Sequence, residues 1–144
     1  MTNPSDADIT RILNETRVIA LVGASNKPAR ASFQVGTFLA KQGYKVIPVN
    51  PGQAGKQLFG QTVVSSLSDI DEAVDMVDVF RASEAVEEVV DEALAALDGL
   101  QTIWMQLGVE NEAAAAKARA QGIEVVQDRC PKIEIPRLRV EKIR

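Results

Sequence analysis

The sequence predicts an α/β fold: a Rossmann-like, doubly wound, mainly parallel sheet of five or six strands with helices on both faces. Three observations carry this expectation. Short apolar segments recur with helical segments between them, the pattern of strands joined by crossover helices. These segments are almost unbroken in their hydrophobicity, as suits strands covered on both sides. The chain has 144 residues, 46% of them hydrophobic, enough for one domain spanning 1–144 that buries roughly two-thirds of its unfolded surface.

Taken in order, Ser5 and Asp8 form a capping-box pattern ahead of Ile9, Ile12 and Leu13, which predicts a short N-terminal helix over 5–16. Strands are expected at Val18–Val22, Lys45–Val49, Met76–Phe80, Thr102–Met105 and Ile123–Val126. Ser32 is placed to cap a helix that runs through Gln42 and ends at Gly43. Ser83 is placed to cap a longer one, with Val86, Val89, Val90, Ala93, Leu94 and Leu97 at helical spacing before Gly99. The alanine-rich stretch from Asn111 to Gln121, closed by Gly122, predicts a third crossover helix. Between Asn50 and Ser68, Pro51, Gly52, Gly55 and Gly60 mark a long connection with a short edge strand around Val63. The C-terminal segment 132–144 holds five basic and two acidic residues and reads as a basic surface arm, lying over the domain or docking on a second subunit.

Composition narrows the function classes. One cysteine precludes an internal disulfide framework, and with no histidine the usual zinc ligand sets cannot be assembled. A net charge of −4 disfavours a general nucleic-acid binder, whose affinity comes from neutralising phosphates. The polar start, Met1 to Ala7, lacks the pattern of a secretory signal, and no apolar run approaches the roughly 18 residues of a membrane span. The expected protein is therefore cytoplasmic, without nucleic-acid or membrane partners, and a homo-oligomer remains open.

In a doubly wound sheet the ligand site lies outside the carboxyl ends of the strands. The first strand runs into Gly23-Ala24-Ser25-Asn26-Lys27-Pro28-Ala29-Arg30, where Gly23 permits a tight turn, Ser25 and Asn26 offer hydrogen bonds, and Lys27 and Arg30 add positive charge beside a helix start. Any tight first turn would also need Gly23. The dinucleotide pattern G-x-G-x-x-G is absent, and the second strand ends in Val49-Asn50-Pro51-Gly52 without the acid that holds the ribose of NAD. With Lys56 nearby, this suits a ligand carrying phosphate near its adenosine, although Asn-Pro-Gly is also an ordinary turn.

Five blocks, Val22–Pro28, Val46–Pro51, Val74–Arg81, Trp104–Val109 and Asp128–Pro131, together resemble the stand-alone CoA-binding protein family, whose domain is similar to the N-terminal domain of the succinyl-CoA synthetase alpha subunit. The resemblance covers roughly Ile9 to Leu138. It implies a Rossmann-like domain that takes coenzyme A or an acyl-CoA, with Gly23, Ala24, Ser25 and Asn26 at the diphosphate and Val49, Asn50 and Pro51 beside the adenosine. It further places Phe80, Arg81 and Ala82 on a ligand-facing loop and Met105, Gln106 and Leu107 nearer the pantetheine arm. Where the synthetase subunit has a lysine soon after the second-strand proline, this chain has Gly52 and Gln53, with Lys56 as the available substitute. The synthetase's phosphorylated histidine and its nucleotide-binding partner have no counterpart here, so ligase activity is not implied.

For catalysis the sequence offers little. Asp75 and Asp78 read as edge or turn carboxylates, and the acids from Glu84 to Glu92 as a solvated helix face. Cys130 is the one nucleophile candidate: Arg129 beside it could favour the thiolate and permit thiol exchange with the ligand, while a buried packing cysteine is the plainer alternative. The expected function is a non-catalytic carrier, sensor or regulator that binds CoA or acyl-CoA. The alternatives are an NAD- or acyl-CoA-dependent enzyme and an interaction protein with a vestigial nucleotide site.

Overall fold

The structure is a computed structural model, and it describes residues 3–143. In chain order its elements are α1 (Asp6–Glu15), β1 (Val18–Val22), α2 (Ala31–Lys41), β2 (Lys45–Val49), β3 (Gln57–Leu58), β4 (Gln61–Thr62), β5 (Met76–Val79), α3 (Val86–Ala96), β6 (Thr102–Met105), α4 (Glu112–Ala120), β7 (Glu124–Val126) and α5 (Pro131–Arg137). Five strands form one sheet in the order β2-β1-β5-β6-β7, and every pair in it is parallel. The chain leaves β1 for β2 on one side and returns to β5 on the other. Strand order therefore reverses at β1 and β5, which opens a crevice outside their carboxyl ends. The expected doubly wound α/β fold is the observed one.

Alternation along each strand divides the core into two layers. Ala20, Val22, Ile47, Val77, Val79 and Ile103 pack with Val86, Val90, Ala93, Ala114 and Ala118 of α3 and α4. Ile19, Leu21, Val46, Met76 and Trp104 pack with Ile9, Ile12 and Leu13 of α1, Val35 and Leu39 of α2, and Ile135 of α5. Each Val, Leu, Ile or Met among them contributes on the order of 1.5–3 kcal/mol by leaving water. Ser5 caps α1 as expected, accepting from the Asp8 amide, and Tyr44 ties the next turn down by donating to the Leu13 carbonyl at 2.6 Å.

Several expectations are corrected. Strand β5 ends at Val79 rather than Phe80, and Ile123 lies outside β7. Ser32 is not a cap: Arg30 holds that position, and Ser32 is buried in the first turn of α2. Ser83 does not cap α3 either. It opens a short 3-10 turn, and its hydroxyl accepts from the Glu110 amide at 3.0 Å and donates to the Gly108 carbonyl at 3.4 Å. A tertiary partner has claimed the hydroxyl that the sequence assigns to the helix. The stretch around Val63 forms the β3–β4 antiparallel hairpin and an isolated parallel bridge from Val64 to Val49.

The C-terminal segment lies over the domain, and it begins with helix α5, which is absent from the sequence expectations and which Pro131 starts at its first turn. Ile135 and Glu134 are buried, and Arg137 pairs with both Glu134 and Asp6, which fastens α5 to α1. The chain then returns to α2, where Ile143 donates to the Gln42 carbonyl at 2.7 Å; a Cβ on Gly43 would collide with the Ile143 carbonyl. Arg144 of the expected arm, like Met1 and Thr2 of the N-terminal segment, lies outside the described residues. No helix among the described residues is long and apolar enough to cross a membrane.

Candidate functional site

Three adjoining clefts open at the carboxyl ends of the strands. The first, about 400 Å³, lies between the loop after β1 and the start of α2, and is lined by Gly23, Ala24, Ser25, Asn26, Lys27, Arg30, Ala31, Ser32, Asn50, Gln53 and Phe80. Gly23 sits at φ 90°, and a Cβ there would collide with the Phe80 carbonyl oxygen. Its own amide and that of Ala24 donate to the Val49 carbonyl, at 3.0 and 3.3 Å. Gly23 therefore shapes the loop, and those two amides are already engaged.

The donors left for a ligand come later. The amides of Ser25 and Asn26 have no acceptor among the described residues, and neither do those of Ala31, Ser32 and Phe33 at the start of α2. No side chain caps this helix and no acid occupies its first turn. An uncapped N-terminus concentrates positive partial charge, which favours an anion. Lys27 and Arg30 stand beside it and make no ion pair with any described residue, whereas Arg11, Lys117 and Arg137 on the outer helices all pair with acids at 2.6 to 2.8 Å. The first cleft is thus polar, cationic and rich in free donors.

Asn50 joins the first and second strand ends. Its Nδ2 donates to the Ala24 carbonyl at 2.7 Å, and its Oδ1 accepts from the Gly52 amide at 2.9 Å. Asn50 borders the cleft as a clamp that sets the two loops against each other, which is the structural role of the turn reading. Pro51 begins a 3-10 turn that ends at Gln53. Lys56 is exposed beyond it and lines none of the three clefts; the polar side chain that reaches the first cleft is Gln53, whose Oε1 is buried without a partner among the described residues.

The second cleft, about 520 Å³, runs between the β2 end and α3. Val49, Asn50 and Pro51 line one side, Ser65, Ser66 and Leu67 the next, and Arg81, Glu88 and Glu92 the last. The third, about 480 Å³, lies between α2 and α5 and is largely apolar, lined by Val35, Phe80, Leu107, Val109, Cys130 and Ile133 with Gln106, Arg81 and Lys132. Phe80 and Ala31 border both the first and third clefts, and Arg81 borders both the second and third. Together they form one ligand-sized surface at the switch point.

Of the remaining sequence-singled residues, Met105 is fully buried in the α3–α4 layer and Ala82 is exposed outside all three clefts. Gln106 is 6% exposed, with an Oε1 that lacks a partner among the described residues. Cys130 is a buried free thiol in the wall of the third cleft. Arg129 turns away from that cleft: its guanidinium donates to the Asp128 carbonyl, and its own carbonyl accepts from the Trp104 indole at 2.8 Å. Ser32, Gln53, Ser66, Glu88, Lys132 and Ile133 line the surface without having been singled out. Only Ser32 and Gln53 sit close enough to the loop motifs to have been found from them.

The two acids near β5 part company. Asp75 accepts from the Arg17 and Val18 amides, both at 2.9 Å, and anchors the start of β1. Asp78 is neither edge nor turn: it lies inside β5 in register with Leu21 and Trp104, fully buried, with no hydrogen-bond partner among the described residues. Burial pushes its carboxyl well above the usual carboxylate range.

Comparison with known proteins agrees with this geometry. The family profile described as a CoA binding domain matches residues 17–136, from just before β1 into α5. The uncharacterized protein YneT of Bacillus subtilis is 39% identical over 133 residues, covering 92% of this chain and 96% of that one. A Thermus thermophilus structure, cell-free ID.343, superposes with a TM-score of 0.88 at 37% identity, over 94% of this chain and 99% of its own. A dinucleotide-forming acetyl-coenzyme A synthetase of Ca. Korarchaeum cryptofilum, in complex with phosphate and ADP, matches at 25% identity and a TM-score of 0.66. That match takes in 82% of this chain and 26% of the synthetase.

Proposed function

We propose, from the premise that this chain belongs to the CoA-binding-domain family, that it binds coenzyme A or an acyl-CoA across the three clefts and serves as a carrier, sensor or regulator. The observation that carries the reading is the open start of α2. Its unpartnered amides, the free amides of Ser25 and Asn26, and the unpaired Lys27 and Arg30 would hold the diphosphate. Val49 and Pro51 in the second cleft would border the adenosine, with Ser66 and Arg81 as polar partners for ribose and phosphate. The unpartnered Gln106 carbonyl suits an amide N–H of the pantetheine arm, a donor that free adenine nucleotides lack. The group therefore fits the residues present.

A non-catalytic role is favoured by what borders the third cleft. Gln34, Gln106, Arg81 and Lys132 are its polar side chains, and Cys130 is its one thiol; none of them is hydrogen-bonded to a general base among the described residues. The test is thermal unfolding with CoA and with NAD at matched concentrations. Ligand at about 100 times its dissociation constant contributes about 2.7 kcal/mol, a melting rise of about 5–10 °C for a domain near this size. A rise with CoA that exceeds the rise with NAD supports the reading, and a rise with NAD alone overturns it.

A further inference from the structure

We propose that the apolar cleft between α2 and α5 is an acyl site: it receives the hydrocarbon chain of an acyl-CoA, which makes the ligand class an apolar acyl thioester rather than free CoA. The inference rests on the CoA reading above and adds the occupant of a cleft that the nucleotide does not fill. Leu107 and Ile133, 53% and 51% exposed, are the large hydrophobic side chains that stand out from the described surface, and both border this one cleft. Singly such residues are ordinary; two that line one largely apolar cleft make the kind of exposed apolar surface that marks a binding site. The volume, about 480 Å³, is that of a small-molecule pocket, and ligand pockets are mostly apolar with a few placed polar groups.

The occupant follows from continuity and polarity. Phe80 and Ala31 border this cleft and the cationic first cleft alike, so a ligand anchored at the start of α2 extends past Phe80 directly into it. A free hydrocarbon would leave the buried, unpartnered Gln106 carbonyl unmatched. A chain joined to pantetheine brings amide donors to its entrance and satisfies that oxygen.

Calorimetric titration of the whole protein with CoA, acetyl-CoA and octanoyl-CoA tests this. Burial of each methylene is expected to tighten binding by about threefold, so octanoyl-CoA exceeds acetyl-CoA by at least about tenfold even with partial burial. Ile133→Ser narrows the octanoyl-to-acetyl ratio by several-fold, and Leu107→Ser does the same from the opposite wall. Both positions are exposed, so the variants fold. Affinity that is flat or falls with chain length, while CoA itself binds, overturns the acyl site and leaves the CoA reading standing. Failure of all three ligands to bind overturns both. A dimer of the free protein that buries Ile133 and persists in saturating octanoyl-CoA also overturns it, since a second copy then owns the cleft.

Discussion

The two faces of the sheet are built from the same kind of strand, yet they treat polar groups in opposite ways. On the α3–α4 face the core layer is a cluster of apolar side chains, the buried Gln127 beside it is partnered by the Asn111 amide and Glu112, and the start of α4 is closed by the protein. Asn111 accepts from the Ala114 amide at 2.9 Å, Glu112 sits in the first turn, and the Asn111 Nδ2 donates to the Ser83 carbonyl. On the α1–α2–α5 face, the Asp78 carboxyl and the Gln106 Oε1 are buried without partners among the described residues, and the start of α2 has no side-chain cap and no first-turn acid among them. Since unmet polar groups cost free energy, one face is arranged for stability. On the other, Gln106 and the start of α2 border the clefts with these groups unmet, whereas Asp78 borders none of them and bears on stability alone.

If that contrast is right, substitutions on the two faces should separate stability from affinity. The largest effect is expected at Asp78. In the folded chain burial raises its pKa above the unfolded value near 4, so between the two values the native state holds a proton that the unfolded chain has released. Its contribution to stability is therefore greatest at low pH and is lost as pH rises through that window. Asp78→Asn removes the loss, and we expect the variant to gain stability over the wild type at pH 7, a gain that shrinks towards pH 4. Denaturant unfolding at pH 4.5, 6 and 7.5 reads the difference; parallel pH profiles for both proteins would remove Asp78 from the account.

Next in size, Asn111→Ala should cost about 1–2 kcal/mol of stability through loss of the α4 cap, visible as a melting point several degrees lower with CoA affinity unchanged. Lys27→Glu and Arg30→Glu should do the reverse. Each is exposed and expected to change stability by less than about 0.5 kcal/mol, while lowering CoA affinity about tenfold by calorimetry, the equivalent of about 1.4 kcal/mol. Unchanged affinity in both would take the positive charge out of the site. The smallest effect sharpens the contrast most: Ala31→Glu gives α2 the first-turn acid that α4 already has. It should raise the melting point of the free protein by the equivalent of about 0.3–1 kcal/mol and weaken CoA. A variant that gains stability without losing affinity would break the link between the open helix start and the ligand.

The sheet was legible because its strands are continuous apolar runs with nothing else to become, and three of the five keep the expected bounds. The Ser5 cap was legible because its partner, the Asp8 amide, is local. Ser83 misled because its hydroxyl finds the 108–110 loop, 25 or more residues away, a partner no local pattern reveals. Asp78 was misplaced because a carboxylate inside a buried strand violates the rule by which strands are read. At the candidate site, the glycine, serine and asparagine of the first loop do fall together in one cleft, but their pattern does not say which amides remain free. That depends on the Val49 carbonyl, which engages Gly23 and Ala24. The dense charge of 132–144, read as a basic arm, concealed α5, although Pro131 signals a helix start, and with it the α5 wall of the apolar cleft.

The central claim is that the ligand's diphosphate rests on the open start of α2. Amide nuclear magnetic resonance during a CoA titration tests it most directly. The account predicts that the largest saturable shifts fall on Ser25, Asn26, Ala31, Ser32 and Phe33, with the amides at the start of α4, Glu112 to Ala114, unmoved. Saturable shifts centred on α4, or on any surface that leaves Ala31 to Phe33 still, would contradict it.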